Sequence, residues 1–152
     1  MVEVSSGRLR LSARHARGVE TRALAVPGVT ALPEVGFAMH ATLVGAHGYQ
    51  IPRDRRRVAF DADRVPDSLV VRARRAGDRF APFGAGESRV KALLINEKIP
   101  RWERDAVPIV EAGGRILWVA GVRRSDAALV GTATRRVLEL SLVPLADSAS
   151  GR

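Results

Sequence analysis

The sequence predicts an α+β fold in which a β-rich N-terminal half is followed by a compact sheet that carries one main helix. Apolar residues occupy every second position from Phe37 to Leu43, which is the period of a half-buried strand. Gly113-Gly114 separates two apolar runs, as a tight hairpin turn requires. Between these features, Val90, Leu93 and Leu94 recur at helical spacing. Strands therefore outnumber helices in the predicted fold.

The composition of the 152-residue chain is that of a globular protein large enough for one sizeable core or two small ones. Hydrophobic residues make up 46% and charged residues 27%, which argues against wholesale disorder. The absence of cysteine excludes a disulfide scaffold, a thiolate metal site and a cysteine nucleophile. Because no apolar run approaches the roughly 20 residues that span a bilayer, and no secretory signal is present, the sequence predicts a soluble, cytoplasmic protein without a membrane partner.

The N-terminal half is predicted to consist of short strands and turns. Alternating apolar residues on either side of a Ser-Ser-Gly turn predict a hairpin at residues 2–11, and a second strand at 22–26 ends at Pro27-Gly28. After the strand that begins at Phe37, a loop at 45–57 leads to a short strand at 58–60. A turn-rich joint then marks a boundary between a β-rich segment, residues 1–66, and a second domain, residues 67–145.

The second domain is predicted to contain one strand, the main helix, a hairpin and a last strand. The strand that begins at Leu69 carries Arg72 and Arg74 outward, because alternate side chains lie on the same face. Ser88 is a competent N-cap for a helix that ends at Asn96 or Glu97. The remaining predictions are a short helix after Pro100, hairpin strands at 107–111 and 115–122, a loop at 123–131, a strand at 137–142 and a disordered tail at 146–152.

Positive charge is concentrated between Val71 and Arg104. This stretch holds nine lysines and arginines against four acidic residues, in a chain whose net charge is +9. Like charges repel one another and oppose compact folding, so their concentration is most simply explained by a partner with closely spaced negative charges. Nucleic acid is the leading candidate, although a charge run by itself is more often a solvated face.

The order of motifs in this part of the chain resembles a known domain. A strand that ends in VRARRAGDRF is followed by P-x-G-x-G, a helix RVKALLINEKIP, the segment RWERDAVPIV and a strand ILWVAGVR. This order is similar to the C-terminal domain of tRNA(Ile)-lysidine synthetase, a bacterial family, from about Leu69 to Leu142. The residues that carry the resemblance are Arg72, Gly77-Asp78-Arg79-Phe80, Pro82, Lys91, Leu94, Lys98-Ile99-Pro100, Arg104, Pro108 and Trp118-Val119-Ala120-Gly121. Residues before Leu69 resemble, more loosely, the β-rich segment that precedes this domain.

The resemblance implies both a fold and a role. The family's C-terminal domain is similar in fold to a domain of the phenylalanyl-tRNA synthetase β-chain, so β-sandwich-like layering is expected. The family is an ATP-dependent carbon-nitrogen ligase that joins lysine to the wobble cytidine of tRNA(Ile), a step of tRNA modification and processing. Its ATP and Mg²⁺ belong to an N-terminal catalytic domain with a Ser-Gly-Gly-x-Asp-Ser loop, a motif that this sequence lacks. The resemblance therefore implies a C-terminal portion that binds the acceptor stem of tRNA(Ile), with no catalytic residue, cofactor or metal of its own.

The candidate tRNA-binding residues are cations on the strand, the helix and the segments around them. Side chains cannot read the deep major groove of an A-form stem, so recognition relies on phosphates, 2′-hydroxyls and shape, which suit arginine forks and lysines. The main contacts are expected to be Arg72, Arg74 and Arg79, followed by Arg89, Lys91, Lys98, Arg101 and Arg104.

Other candidate sites have simpler structural explanations. Asp61, Asp63 and Asp67 have the chemistry of Mg²⁺ ligands, but their place in a proline-containing turn favours capping. Asp78 is expected to form a turn or to pair with a neighbouring arginine. The histidines His15, His40 and His47 lack the spacing and companion ligands of a metal site. The glycines ahead of the helix, Gly77, Gly84 and Gly86, suit an anion nest, but turn geometry is the favoured explanation.

The two tryptophans are expected to differ in role. Trp118 lies in an apolar strand and is predicted to be part of the core. Trp102 lies among cations and is expected either to stack on a base or ribose or to pack a helix against the sheet.

Two other functions remain open from the residues alone. The first is an interaction or dimerisation module that contacts a separately encoded catalytic domain or a second copy of the chain. The second is a general RNA-binding protein. Salt dependence separates these functions, because phosphate contacts make affinity fall steeply with salt whereas an apolar contact barely responds.

Overall fold

A computed structural model of the chain describes residues 18–145. This range contains eleven strands, one α-helix and three 3₁₀ segments, and every strand pair in it is antiparallel. The predicted hairpin at 2–11 and the predicted tail at 146–152 lie outside the described residues. None of the helical segments between residues 18 and 145 has the length and apolar character of a membrane span.

The strands, numbered along the chain, are β1 (Arg22–Ala23), β2 (Gly28–Leu32), β3 (Phe37–Gly45), β4 (Arg57–Asp61), β5 (Val70–Arg72), β6 (Arg79–Phe80), β7 (Ser88–Arg89), β8 (Ile109–Ala112), β9 (Arg115–Val119), β10 (Arg123–Arg124) and β11 (Arg136–Pro144). The helix is α1 (Val90–Asn96), and the 3₁₀ segments are Pro33–Val35, Ala62–Arg64 and Arg101–Ala106.

The strands form two main sheets that each draw on both halves of the chain. The four-stranded sheet has the order β2-β3-β11-β4, and the five-stranded sheet has the order β1-β5-β8-β9-β10. Strand β11 lies between β3 and β4, and β1 pairs with β5. Hydrogen bonds in both sheets thus connect residues on either side of the predicted boundary between residues 66 and 67. The division of the chain into two domains at this boundary stays a prediction.

The two sheets pack face to face around one large apolar core. Leu32 and Met39 of the four-stranded sheet belong to the same buried cluster as Val71, Val110 and Trp118 of the five-stranded sheet. Trp118 is only 1% exposed, which confirms its predicted place in the core. Burial of such apolar surface is the main favourable contribution to folding.

Helix α1 covers the opposite face of the five-stranded sheet. Leu94 packs with Ile109 and Val119 in a second buried cluster. Because successive strand residues point to opposite faces, Val110 and Trp118 face the other sheet while Ile109 and Val119 face the helix. Both faces of the five-stranded sheet are therefore covered. This architecture confirms the predicted α+β class, the sandwich-like layering and the single main helix.

The hairpin and the start of the helix show where local patterns succeed and fail. Gly113 and Gly114 have φ angles of 58° and 77° in the turn between β8 and β9, as predicted. Ser88, by contrast, pairs with Phe80 in the β6–β7 ladder, and the helix begins two residues later without a side-chain cap. The predicted Ser88 N-cap is wrong because pairing with β6 holds this residue in an extended strand.

Candidate nucleic-acid interface

An open groove lies where the loop after β5, the start of α1 and the 3₁₀ segment Arg101–Ala106 meet. Its volume is about 520 Å³, and six of its ten lining residues are cations. We call it the basic groove, and its cations are Arg74, Arg75, Arg89, Lys91, Arg101 and Arg104. Asp78 is the one carboxylate in the lining. A concave surface lined mainly by one sign of charge attracts and concentrates ions of the opposite sign.

Most of the predicted RNA-binding residues meet at this groove. Five of the eight line it, namely Arg74, Arg89, Lys91, Arg101 and Arg104. Arg79 does not line it; this residue stands opposite Arg89 in the β6–β7 ladder, and its Nε lies 3.5 Å from the Glu87 carboxylate. Lys98 is exposed at the other end of α1 and does not line the groove. Arg75 does line it and was missed, although it belongs to the same charge run.

Arg72 lies beneath the groove instead of on its surface. Its side chain is 4% exposed, its Nε donates to Glu111 at 2.6 Å, and its two terminal nitrogens each donate to the Asp78 carboxylate at 3.0 Å. The prediction that the strand carries Arg72 outward is wrong, because β5 is an interior strand of a sheet that is covered on both faces. A guanidinium enclosed by two carboxylates is not free to bind phosphate, so Arg72 is a positioning residue.

The protonation states of this buried cluster are fixed by the contacts within it. Burial alone would lower the pKa of Arg72, but its hydrogen bonds to Asp78 and Glu111 raise the pKa above the ordinary value. Burial alone would also raise the pKa of Asp78, but hydrogen bonds from Arg72 and from the Arg75 N–H hold it below the ordinary value of 3.8. Both groups are therefore charged at neutral pH.

Asp78 connects the buried cluster to the cations of the basic groove. Its carboxylate accepts the Arg75 N–H at 2.6 Å, and its carbonyl accepts the Val90 N–H at 3.0 Å. Gly77, with φ of 85°, supplies the positive φ that this tight turn requires. These bonds hold the loop at 73–78 against the start of α1, and they confirm Asp78 as a turn former and arginine partner.

The cations at the groove rim are held more loosely than Arg72. Arg74 donates through Nε to Asp105 at 2.9 Å, and more than half of that carboxylate side chain is exposed. Arg104 donates through Nε to the Ile99 carbonyl at 3.0 Å. Each of these contacts uses Nε, so the terminal nitrogens of the guanidinium take no part in it. Such nitrogens are the ones that bind a phosphate in a fork.

Trp102 adds an aromatic surface next to this rim. Its side chain is 56% exposed, and it follows Arg101 directly in the 3₁₀ segment. Of its two predicted roles, packing a helix against the sheet is wrong, because a residue in such a contact is buried. Stacking on a base or ribose stays a prediction.

Asp61 acts as the cap of the turn after β4. Asp61 accepts the Asp63 N–H at 3.1 Å and the Thr134 hydroxyl at 3.0 Å. Among residues 18–145 there is no group of three or more histidines, aspartates and glutamates that could hold a metal ion. The capping role predicted for this turn is confirmed for Asp61.

Comparisons with known sequences identify the domain to which this fold and groove belong. A family model described as the TilS substrate C-terminal domain matches residues 69–140. The tRNA(Ile)-lysidine synthase of Symbiobacterium thermophilum is 34% identical over 99% of this chain and 33% of its own length. That of Persephonella marina is 45% identical over 47% of this chain and 16% of its own length. The chain thus spans a third or less of the length of these relatives.

Comparisons with solved structures agree. The crystal structure of a TilS C-terminal domain has a TM-score of 0.74 and 33% identity, and the match covers 83% of this chain and 98% of that one. An N-terminal fragment of the phenylalanyl-tRNA synthetase β-subunit from Pyrococcus horikoshii has a TM-score of 0.50 at 19% identity, over 57% of this chain and 28% of that one, which is a likeness of fold alone. Because nearly the whole of a solved TilS domain is matched at this identity, the chain belongs to the tRNA(Ile)-lysidine synthase family and corresponds to its C-terminal domain.

Proposed function

We propose that this chain is the tRNA-binding C-terminal part of a tRNA(Ile)-lysidine synthase, and that its basic groove receives the acceptor stem of tRNA(Ile). The observation that carries the proposal is the convergence of six cations from three chain segments on one open groove. Carboxylates offset part of that charge, because Asp78 lies in the lining and Asp105 pairs with Arg74, but the six cations outnumber them. The groove keeps a strong positive potential, which favours a polyanion.

The geometry suits an RNA duplex better than a small anion. A volume of about 520 Å³ that opens to solvent admits a length of backbone, whereas a pocket for one phosphate is small and closed. A-form RNA offers proteins its phosphates and 2′-hydroxyls, and arginine forks and lysines recognise both without reading sequence. Trp102, exposed beside Arg101, adds a flat apolar surface for a ribose or an end base.

In this proposal the chain binds and orients the tRNA and takes no part in bond formation. Lysine transfer with ATP and Mg²⁺ is assigned to the portion of the family that lies outside the matched length. The residues described here do not fit that chemistry, because the Ser-Gly-Gly-x-Asp-Ser loop is absent from the sequence and the groove presents arginines where Mg²⁺ requires carboxylates. Binding of the acceptor stem, combined with binding elsewhere on the same rigid RNA, raises overall affinity and selectivity.

Binding of a labelled tRNA(Ile) transcript, measured over a range of salt concentrations, tests the proposal. The variant Arg89→Ser with Lys91→Ser removes two groove cations that are exposed, so the fold should not change. Loss of two phosphate contacts should weaken binding and make the slope of log affinity against log salt less steep by about 1.8. The matched control is Arg64→Ser with Arg135→Ser, two exposed arginines at one end of the four-stranded sheet.

Competition identifies which part of the tRNA occupies the groove. An acceptor-stem hairpin should displace the labelled tRNA from the wild-type chain, and an anticodon hairpin of equal length should compete much less. Equal competition by the two hairpins would favour a general RNA-binding protein. A groove variant with the affinity and salt slope of the control would remove the basic groove from the binding site.

A further inference from the structure

A second group of cations lies at the end of α1 that is remote from the basic groove. The run RDRRR covers the end of the loop between β3 and β4 and the first residue of β4. Its arginines Arg53, Arg55, Arg56 and Arg57 are all exposed, and Asp54 is the one acidic residue within the run. This run lies outside the segment of charge that predicted the RNA site. Four arginines in five positions repel one another unless a counter-charge is near, and Glu97 and Glu139 supply one for Arg55 and Arg57 only.

One ion pair fixes this loop against the helix. Arg55 Nη1 lies 2.8 Å from Glu97 Oε1, and Glu97 is the C-cap residue of α1. Lys98 is the next residue and is exposed. The arginine loop and Lys98 therefore lie together at the C-terminal end of the helix whose N-terminal end carries Arg89 and Lys91.

The cations of the loop differ in how far they are already neutralised. Arg57 binds Glu139 through Nε at 3.0 Å and Nη2 at 2.7 Å, and Arg56 stacks over the Phe37 ring at 5.3 Å from its centroid. Within residues 18–145, Arg53 and Lys98 have no carboxylate partner. These two side chains are the ones most available to an outside anion.

The surface continues onto the edge of the five-stranded sheet. Arg55 and Arg123 line a shallow depression of about 170 Å³ between the loop and β10. Arg123 Nη2 donates to the Phe83 carbonyl at 2.8 Å, which holds the guanidinium at the rim of the depression. Arg55 therefore has two cationic neighbours: its ion pair with Glu97 places it beside Lys98, and it lines the same depression as Arg123. We call the surface with Arg53, Arg55, Lys98 and Arg123 the loop surface.

We propose that the loop surface, with Arg53, Arg55, Lys98 and Arg123, is a second binding site for the RNA sugar-phosphate backbone, so that one RNA is held at both ends of α1. The inference rests on the proposed function of the basic groove. Helix α1 has seven residues and is therefore about 10 Å long. Double-stranded DNA carries a phosphate for roughly every 1.7 Å of its axis, and at a similar density in an RNA duplex several phosphates lie within the length of the helix. One RNA that occupies the basic groove is long enough to reach the loop surface as well.

The test compares variants that each remove two positive charges. The loop variant is Arg53→Ser with Lys98→Asn, since Asn tolerates the left-handed backbone of this position, where φ is 60°. Arg64→Ser with Arg135→Ser is the control, and each chain binds the labelled tRNA(Ile) transcript between low and moderate salt. If two phosphate contacts are lost, the ratio of wild-type to variant affinity should be about 12-fold larger at about 50 mM than at about 200 mM salt. The control should show no such dependence.

The possible outcomes separate the two proposals. If the groove variant flattens the salt slope and the loop variant matches the control, the loop surface is overturned while the basic groove stands. If the wild-type chain binds no tRNA, the proposed function fails and the loop surface fails with it. If the loop variant keeps its tRNA slope but loses binding of a polyglutamate probe, the loop surface belongs to an acidic protein segment and the inference is wrong.

Discussion

Arg72 and Arg74 are two residues apart at the end of β5, yet they belong to regions of opposite character. Arg72 is 4% exposed and is held by hydrogen bonds to two carboxylates, whereas Arg74 makes one ion pair with an exposed aspartate at the groove rim. Both have the same charge and the same place in the basic run. Burial and the number of committed partners therefore decide whether an arginine supports the groove from beneath or is available to a ligand at its rim.

Arg124 and Arg123 repeat the contrast on the other side of the molecule. Arg124 donates to the carbonyls of Ala59, Ser125 and Ala127, and its guanidinium lies 4.4 Å from the centroid of the Phe60 ring. Burial lowers the pKa of Arg124 to about 10. Because Ala59 belongs to β4 and Arg124 to β10, this side chain links the edges of the two sheets. Arg123 points instead to the loop surface.

The largest expected effect is the loss of stability in Arg72→Ala. This change leaves Asp78 and Glu111 close together without their shared counter-charge, and removing one partner of a buried ion pair costs about 3–5 kcal/mol. Denaturant unfolding should show a midpoint far below that of the wild-type chain. Arg74→Ala, two residues away, is the matched control. Equal midpoints for the two variants would contradict the division between interior and rim.

Arg124→Met should have the second largest effect. Methionine keeps the aliphatic packing but leaves three partly buried carbonyls without their donor. A hydrogen bond that involves a charged group typically contributes about 1.5–3 kcal/mol to the free energy of unfolding. Thermal unfolding of Arg124→Met and of its neighbour variant Arg123→Met provides the measurement. A smaller loss of stability in Arg124→Met than in Arg123→Met would show that the link between the sheet edges does not stabilise the fold.

The same interior cluster should make the stability difference between wild type and Asp78→Asn depend on pH. The folded pKa of Asp78 lies below its ordinary value of 3.8, so its charge stabilises the fold fully above that value. That stability is lost as pH falls through the lower, folded pKa. The gap in unfolding free energy between wild type and Asp78→Asn should therefore be constant near neutrality and close below about pH 3.8. A gap that is unchanged in acid would exclude the Asp78 charge as its source.

Local patterns in the sequence account for much of the fold but not for these distinctions. Alternation places β3, the β8–β9 hairpin and β11, and helical spacing finds the buried face of α1. The same alternation puts Arg72 and Arg74 on one face, but it does not say that α1 and the loop at 73–78 fold back over that face. Burial of Arg72 is a tertiary property.

The pairing of distant segments is hidden from the sequence for the same reason. Position along the chain gives no sign that β11 lies between β3 and β4. Arg55 and Glu97 are 42 residues apart, and their ion pair joins the arginine loop to the end of α1. The basic groove was more predictable, because all six of its cations come from one continuous charged stretch.

The smallest expected effect on stability, and the sharpest test of the comparison, belongs to Arg74→Ser. Its ion pair with Asp105 is exposed, and such pairs contribute about 0.2–1 kcal/mol. Unfolding should thus barely change, while the salt slope of tRNA binding should become less steep by about 0.9, the value of one phosphate contact. Asp105→Ser breaks the same ion pair but keeps the cation, so it should match Arg74→Ser in stability and bind tRNA at least as tightly as wild type. If the two variants lose tRNA affinity equally, Arg74 acts through the ion pair and does not contact the RNA.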